Sequence, residues 1–440
     1  MTALRPVRTE SVSASVLLVL ACALAGCGGE TGARADQMQI QAKIPQAVVL
    51  AEQSKTPVDP AIIAADNAFG LNALRALQSG DGSTNIAISP LSLSLALQVL
   101  YNGAVGPTQQ RIAEALQLGS LTTQQVNDGN AALQASLINA DAQVQLKVAN
   151  SLWVRSGDRA VLPSFLQMNQ TYYGATIGDV AGAPDSVNAW VAMETDGQIS
   201  QILAPGNYSS SIAIIANAVY FKGPWTTSFD PNATVSRAFM LDNGTSKQVP
   251  MMQQQGTFSY LHGDGFQLVR LPYAKERFSM TVLLPDSGTS LTTLISAITA
   301  DQFNAWVGQM QPSYGAVALP RFAADAATDM VPVLENLGMT IAFNCLTPGS
   351  TSAYSLPALP DFSALSSDHV CVQGVAHEVR VQVDEAGTVA AAGTAVTVVT
   401  TAVEQPLYTM TMDHPFLYVI RDDETGLLMF IGTMVDPTAK

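Results

Sequence analysis

The chain has 440 residues, 48% hydrophobic and 12% charged. That is enough apolar surface for one large core or two modest ones, and it excludes a mainly disordered protein. A formal net charge of −15 argues against a nucleic-acid partner, because phosphate binding needs a basic surface.

Arg5 and Arg8 precede a short apolar stretch, SVSASVLLVLACALAGC. This has the form of an export leader over residues 1–27, too short and wrongly flanked for a stable membrane span. Its end, Leu24-Ala25-Gly26-Cys27, resembles a bacterial lipobox, in which the cysteine is lipidated and becomes the mature first residue. An ordinary leader with an incidental cysteine is the weaker alternative, since Cys27 sits at the small-residue cleavage point. Gly28 supplies no acidic retention signal, so an outer-membrane, surface or extracellular destination fits. Residues 28–60 are rich in Gly, Ala, Gln and Pro with little periodicity and read as a tether. No second linker interrupts the remainder, so residues 61–440 are expected to form one domain.

In that domain AIIAADNAFGLNALRALQSG places Ile62, Ile63, Phe69, Leu71, Leu74 and Leu77 at near-helical spacing and stops at Gly80. SPLSLSLALQVLYNGA opens on Ser89 as an N-cap, with Pro90 tolerated in the first turn. PDSVNAWVAMETDGQI is a third amphipathic helix, ending at Gly197. Later segments turn to strands: SIAIIANAVYFKG, FQLVRLPYA, RFSMTVLLPDSG, GAVALPRF, and a closing hairpin of PFLYVIRD and LLMFIGTMV around Asp423-Glu424-Thr425-Gly426. The class is α+β, helix-heavy early and sheet-heavy late. Phe221-Lys222-Gly223, Phe416, Met251 and Met252 read as packing.

Catalytic and metal chemistry finds little to stand on. There is no G-x-S-x-G, H-E-x-x-H, P-loop or G-x-G-x-x-G sequence. His262, His369, His377 and His414 are scattered; after His377-Glu378, Val381 and Gln382 stand where a second zinc-binding histidine is needed. A triad assembled only in space stays formally open. Beyond Cys22 and Cys27 of the leader, Cys345 and Cys371 remain, as a disulfide or as two buried thiols. No cofactor is expected.

One segment is unlike the rest. From Gly387 to Val403 every residue is Gly, Ala, Thr or Val. In period two, Thr388, Ala390, Ala392, Thr394, Val396 and Val398 share one face, and Val389, Ala391, Gly393, Ala395, Thr397 and Val399 the other. Neither face carries an ionised group. Standing alone, such a run reads as an Ala/Thr/Val edge strand.

NIAISPLSLSLALQVLYNGAVGPTQQRI, NAVYFKGPWTTSFDP, LPRF, LENLGMTIAF, DFSAL, VDEAGTVAAAGTAV and DHPFLYVIRDDETGLLMFIGTMVDP together resemble the serpins, inhibitors of serine proteases, in the family's order from about Asn67 to the end. The resemblance implies a single domain with three β-sheets, about eight or nine helices and an exposed reactive-centre loop at about 385–406. It implies no enzyme but a monomeric suicide substrate. A target serine protease forms a covalent acyl complex with it, and the cleaved loop inserts into the main sheet before hydrolysis finishes.

Carried over residue by residue, the hinge is Glu385, Gly387, Thr388, Ala390, Ala391 and Ala392. The polar shutter is Ser89, Ser92, Asn217 and His377, and the breach is Trp225, Arg321 and Glu385. The reactive bond falls at Thr401-Ala402, within one or two residues. Val389 departs from an often acidic family position. No Lys or Arg lies between Arg380 and Arg421, which suits elastase-like or subtilisin-like targets with shallow pockets. The alternatives are a non-inhibitory binding or structural lipoprotein of the same fold, or an inhibitor of cysteine proteases. The membrane enters as a partner through lipid on Cys27.

Overall fold

The computed structural model describes residues 57–439 except 79–83, 139, 156–160, 207, 209–212, 346–358 and 389–404. The chain divides into two units, 1–44 and 45–440, and the first lies wholly outside the described residues. The leader, the tether through residue 56, Cys27, Val389, Ala390, Ala391, Ala392, Thr401 and Ala402 therefore lie outside them too.

Nine α-helices occur among the described residues: α1 (Pro60–Gln78), α2 (Pro90–Gly103), α3 (Gly106–Ala115), α4 (Thr123–Leu137), α5 (Pro163–Tyr172), α6 (Asp185–Glu194), α7 (Leu291–Ala297), α8 (Ala300–Gln309) and α9 (Val331–Leu334). The early strands are β1 (Ile86–Ile88), β2 (Gln145–Val154), β3 (Thr176–Asp179), β4 (Ala213–Pro224) and β5 (Val235–Met240). Next come β6 (Ser246–His262), β7 (Phe266–Pro272), β8 (Phe278–Pro285), β9 (Gln311–Pro320) and β10 (Phe322–Asp329). The last are β11 (Gly374–Asp384), β12 (Gly387–Thr388), β13 (Tyr408–Thr411), β14 (Phe416–Asp422) and β15 (Leu428–Met434).

Local chemistry sets several helix starts. Ser89 caps α2 by accepting from the Ser92 N–H, and Pro90 occupies the first turn, where its missing donor costs nothing. Thr122 and Gln125 form a reciprocal capping box on α4. Gly197, after α6, has φ +76°, a conformation side chains with a Cβ rarely adopt.

The strands form a six-stranded sheet, ordered β10-β11-β12-β4-β2-β3, and a nine-stranded ladder, β1-β15-β14-β8-β7-β6-β9-β13, with β5 also on β6. The 17-residue β6 makes the ladder into two sheets: its start, residues 246–251, pairs with β5, residues 251–260 pair with β9, and its end, Ser259–His262, pairs with β7. With β6 shared in this way, the molecule has three sheets.

Helix α2 packs on β2, β4 and β15, wedged between the six-stranded sheet and the β-hairpin β14–β15. The main core lies on this side and includes Phe221, Phe416, Met251 and Met252, each 0% exposed. A second core covers the other face of the six-stranded sheet, where Trp190 and Val191 of α6 meet Trp153, Ile214 and Ala216. A central strand buried on both faces explains why β4 reads as a continuous apolar run. Cys345 and Cys371 are joined in a disulfide with Cα atoms 5.3 Å apart, which settles the choice the sequence left open.

Candidate functional site: the gap between strands β4 and β11

Strands β4 and β11 run parallel and pair directly from Gly374↔Ile214 to Arg380↔Tyr220. Beyond Arg380 they part, and β12 fills the gap. Gly387 and Thr388 pair with Asp384 and Val383 of β11 on one side and with Pro224 and Gly223 of β4 on the other. The segment that the sequence marks as fit for insertion therefore has its first two strand residues already inside the sheet.

The turn that feeds β12 is heavily tied. Asp384 Oδ1 accepts from the Ala386 and Gly387 N–H groups at 2.9 and 3.2 Å. The Trp225 and Phe229 backbone N–H groups donate to Ala386 O and Glu385 O at 3.0 and 2.9 Å. The Trp225 indole N–H donates to Asp384 O at 2.9 Å. Its ring stacks on Tyr273 with centroids 4.4 Å apart.

Gly387 has φ +150°, and a Cβ there would lie 2.2 Å from Gly223 O, so only glycine fits so close to β4. Thr388 is 0% exposed, with its hydroxyl 2.7 Å from that of Tyr273. Glu385, 6% exposed, takes the Arg321 guanidinium Nε at 2.8 and 2.7 Å and the Thr234 hydroxyl. Burial alone would raise its carboxyl, but these hydrogen bonds outweigh burial and hold it below the usual value. Arg321 is raised in turn, chiefly by its hydrogen bonds to Glu385.

Lower in the sheet, where β4 and β11 touch, a second polar cluster sits under the strands. His377 on β11 is the register partner of Asn217 on β4, and Asn217 that of Asn150 on β2, so the three side chains form one row. The Ser89 N–H donates to His377 Nε2 at 3.0 Å, which fixes the tautomer: Nδ1 carries the proton and donates to Asn217 Oδ1. The Asn217 amide donates to Ser92 O at 2.8 Å and to Asn150 Oδ1. Ser89 Oγ donates to Met429 O on β15 at 2.7 Å. Burial pushes the His377 imidazole down to about 3, so the ring is neutral.

The described sequence-predicted residues thus fall into two groups about one seam. Trp225, Arg321, Glu385, Gly387 and Thr388 meet at its open end, and Ser89, Ser92, Asn217 and His377 at its closed part. Sequence reading misses Asn150, Tyr273, Thr234 and Asp384. The first three are brought in by tertiary contact alone; only Asp384, opening an Asp-x-x-Gly turn, had a local signal. The seam presents no nucleophile with an adjacent base; what it can do is accept a strand.

The main sheet thus holds Gly387 and Thr388, the start of the small-residue segment, between two parallel strands. The family description "Serpin (serine protease inhibitor)" matches residues 64–437. Serpin B6 of Macaca fascicularis is 33% identical over 388 residues, covering 85% of this chain and 98% of that protein. The native-state structure of tengpin, a thermophilic serpin, superposes with a TM-score of 0.77 at 28% identity, covering 86% of this chain and 95% of that one. Human thyroxine-binding globulin, solved as a complex, gives a TM-score of 0.74 at 25% identity, over 89% of this chain and all of that one. The chain is a member of the serpin family.

Proposed function

We propose that this serpin is a suicide-substrate inhibitor of serine endopeptidases with shallow, small-residue pockets, elastase-like or subtilisin-like, and that it is exported and lipid-anchored through Cys27. The observation that carries the inhibitory reading is the pairing of Gly387 and Thr388 with both flanking strands. Strand addition has a nucleus, and the segment that this nucleus begins runs from Gly387 to Val403 without charge, proline or aromatic bulk.

The register makes the next step specific. Six positions beyond Thr388 along the segment, and six back from Gly223 and from Val383, bring Thr394 opposite both Asn217 and His377. Paired residues share a face, so an inserted Thr394 would point inward with Thr388, toward the polar cluster. Its hydroxyl could accept from His377 Nδ1 and donate to Asn217 Oδ1, replacing the one hydrogen bond these two now make to each other. Strand separation then leaves no buried polar group without a partner.

In the reaction, the protease's serine oxygen bonds to the Thr401 carbonyl carbon and the Thr401-Ala402 peptide bond breaks, freeing Ala402 as a new amino terminus. Insertion of the acylated strand carries the protease away from Ala402 before water completes hydrolysis. The serpin contributes strain rather than a catalytic group.

The test mixes the purified chain with an elastase and with a subtilisin. A denaturant-resistant band at the summed mass, with cleavage at Thr401-Ala402 by mass spectrometry, is the expected result. Cleavage without that band, together with a cleaved form that melts no higher than the intact one, would overturn it. Release of the chain from membranes by Cys27→Ser tests the anchor.

A further inference from the structure

The outer face of the six-stranded sheet carries a feature that strand insertion does not use. At the foot of the seam, beside the second core, lies an open cleft of about 540 Å³. Ile202, Leu203, Tyr208 and Ile214 give it apolar walls, and Glu378 and Asp329 are its acidic groups. The described lining residues include no lysine or arginine.

Glu378 is the unusual member. Its Oε2 is shut away from solvent and has no hydrogen-bond partner. The nearest cation along its own strand face, Arg380, is engaged elsewhere: it reaches Asp325 at 3.5 Å and donates to Gln198 O at 2.6 Å. Burial, with Asp325 adding to it and Arg380 opposing it, raises the Glu378 carboxyl to about 7. Asp329 is differently placed, exposed and capping the Val331 N–H at 3.1 Å. A half-buried acid with an empty acceptor, at the edge of an apolar cleft, is missing a donor with positive charge.

We propose that this cleft is a binding site for a small organic cation, an amine carried on an apolar body, with Glu378 as its counter-charge. The volume lies within the range of small-molecule pockets, roughly 300–1,000 Å³. A metal ion is the poorer match, because no group of three metal-ligating side chains occurs among the described residues. A neutral apolar ligand would leave the Glu378 carboxylate without a counter-charge, whereas an ammonium group beside it supplies one.

One side of the cleft is formed by residues 201–204 and Tyr208, and the other by β10, β11 and the start of β4, so one ligand touches strands paired at Gly374↔Ile214. If the inhibitor reading above holds, those strands part on full insertion. A ligand that prefers the closed sheet then slows insertion and is released by it.

The experiment titrates the full chain at pH 8 with dansylcadaverine, a primary amine on an aromatic body, and with its N-acetyl derivative, following dansyl emission. The amine is expected to bind saturably and about ten-fold or more tighter than the neutral probe. Glu378→Gln should abolish that difference, and Ala327→Leu, which fills the cleft from β10, should remove binding. No saturation, equal binding of the two probes, or an unaltered preference in folded Glu378→Gln would each overturn the site. Should Glu378→Gln not fold, the probe pair on the native chain decides. Loop-cleaved chain should bind about ten-fold more weakly than intact chain. Equal binding there leaves the site standing and counts against insertion between these strands.

Discussion

The two ends of the β4–β11 seam solve opposite problems. At the upper end the strands are held apart around Gly387 and Thr388, with a glycine that admits close approach, a threonine tied to Tyr273, and a turn pinned by Trp225, Phe229 and Asp384. At the lower end they are held together, and the contact is polar: a neutral histidine and an asparagine that bond to each other and to the start of α2. A purely apolar seam would close as firmly but would give an incoming strand nothing to exchange. Hydrogen bonds contribute only about 0.5–1.5 kcal/mol net yet cost more when left unmade. A polar seam is therefore stable in either state and costly only in between.

The largest effect should come from making the upper end unable to hold β12. Thr388→Arg places a charge where the native side chain is fully buried beside Tyr273, a burial that costs several kcal/mol without a partner. The hinge is expelled, the covalent complex is lost and cleaved chain accumulates. Trp225 emission shifts to the red as Asp384 leaves its indole. Full trapping by this variant would show that the upper end need not be filled.

Acid should loosen the lower end next. His377 is lowered to about 3 in the fold against 6.5 in the unfolded chain. Below pH 6.5 the unfolded state takes up a proton that the native state refuses. Stability therefore falls as pH drops toward about 3, at roughly 1.4 kcal/mol per pH unit where the difference is complete. Glu385 acts in the same direction, since its carboxyl is lowered by its partners and its contribution, present above 4.5, is lost as pH falls through the folded value. Asp66 acts oppositely: buried and raised to about 7, its contribution is full below 3.8 and lost as pH rises through 7. Melts of native chain and His377→Gln from pH 7 to 4 should converge on acidification; parallel curves would remove His377 from the account.

Asn217→Ala strips three buried partners at once and should cost about 1–3 kcal/mol in urea unfolding. It should also speed insertion of the cleaved loop, because the closed seam loses more than the open one. Tyr273→Phe, at the upper end, removes one hydroxyl contact to Thr388 and keeps the stack on Trp225. A loss of about 0.5–1.5 kcal/mol is expected. A larger loss than that of Asn217→Ala would reverse the ranking of the two ends.

Much of this was legible from local pattern. Ser89-Pro90 announces the start of α2, the doubly buried β4 announces itself by an unbroken apolar run, and Asp423–Gly426 marks the hairpin of β14 and β15. Strand β6 is not legible: Gln253, Gln254 and Gln255 interrupt its alternation because it crosses from one sheet to another. The Asn150 contact is invisible in sequence, since it lies 67 residues from its partner and nothing near it differs from an ordinary strand. The same holds for Glu378, whose missing partner is a property of the cleft.

By itself the sequence determined which segment lacks the charge, bulk and proline that would forbid insertion whatever the fold, Gly387–Val403. It also supplied four of the polar residues at the closed part of the seam, Ser89, Ser92, Asn217 and His377, but not Asn150. Only the tertiary structure decided that Gly387 and Thr388 are already inside the sheet, that Gly387 touches the β4 backbone, that Cys345 meets Cys371, and that Glu378 lines a cleft whose described residues include no lysine or arginine. Those depend on register and long-range packing, where a shift of one residue turns every side chain to the opposite face.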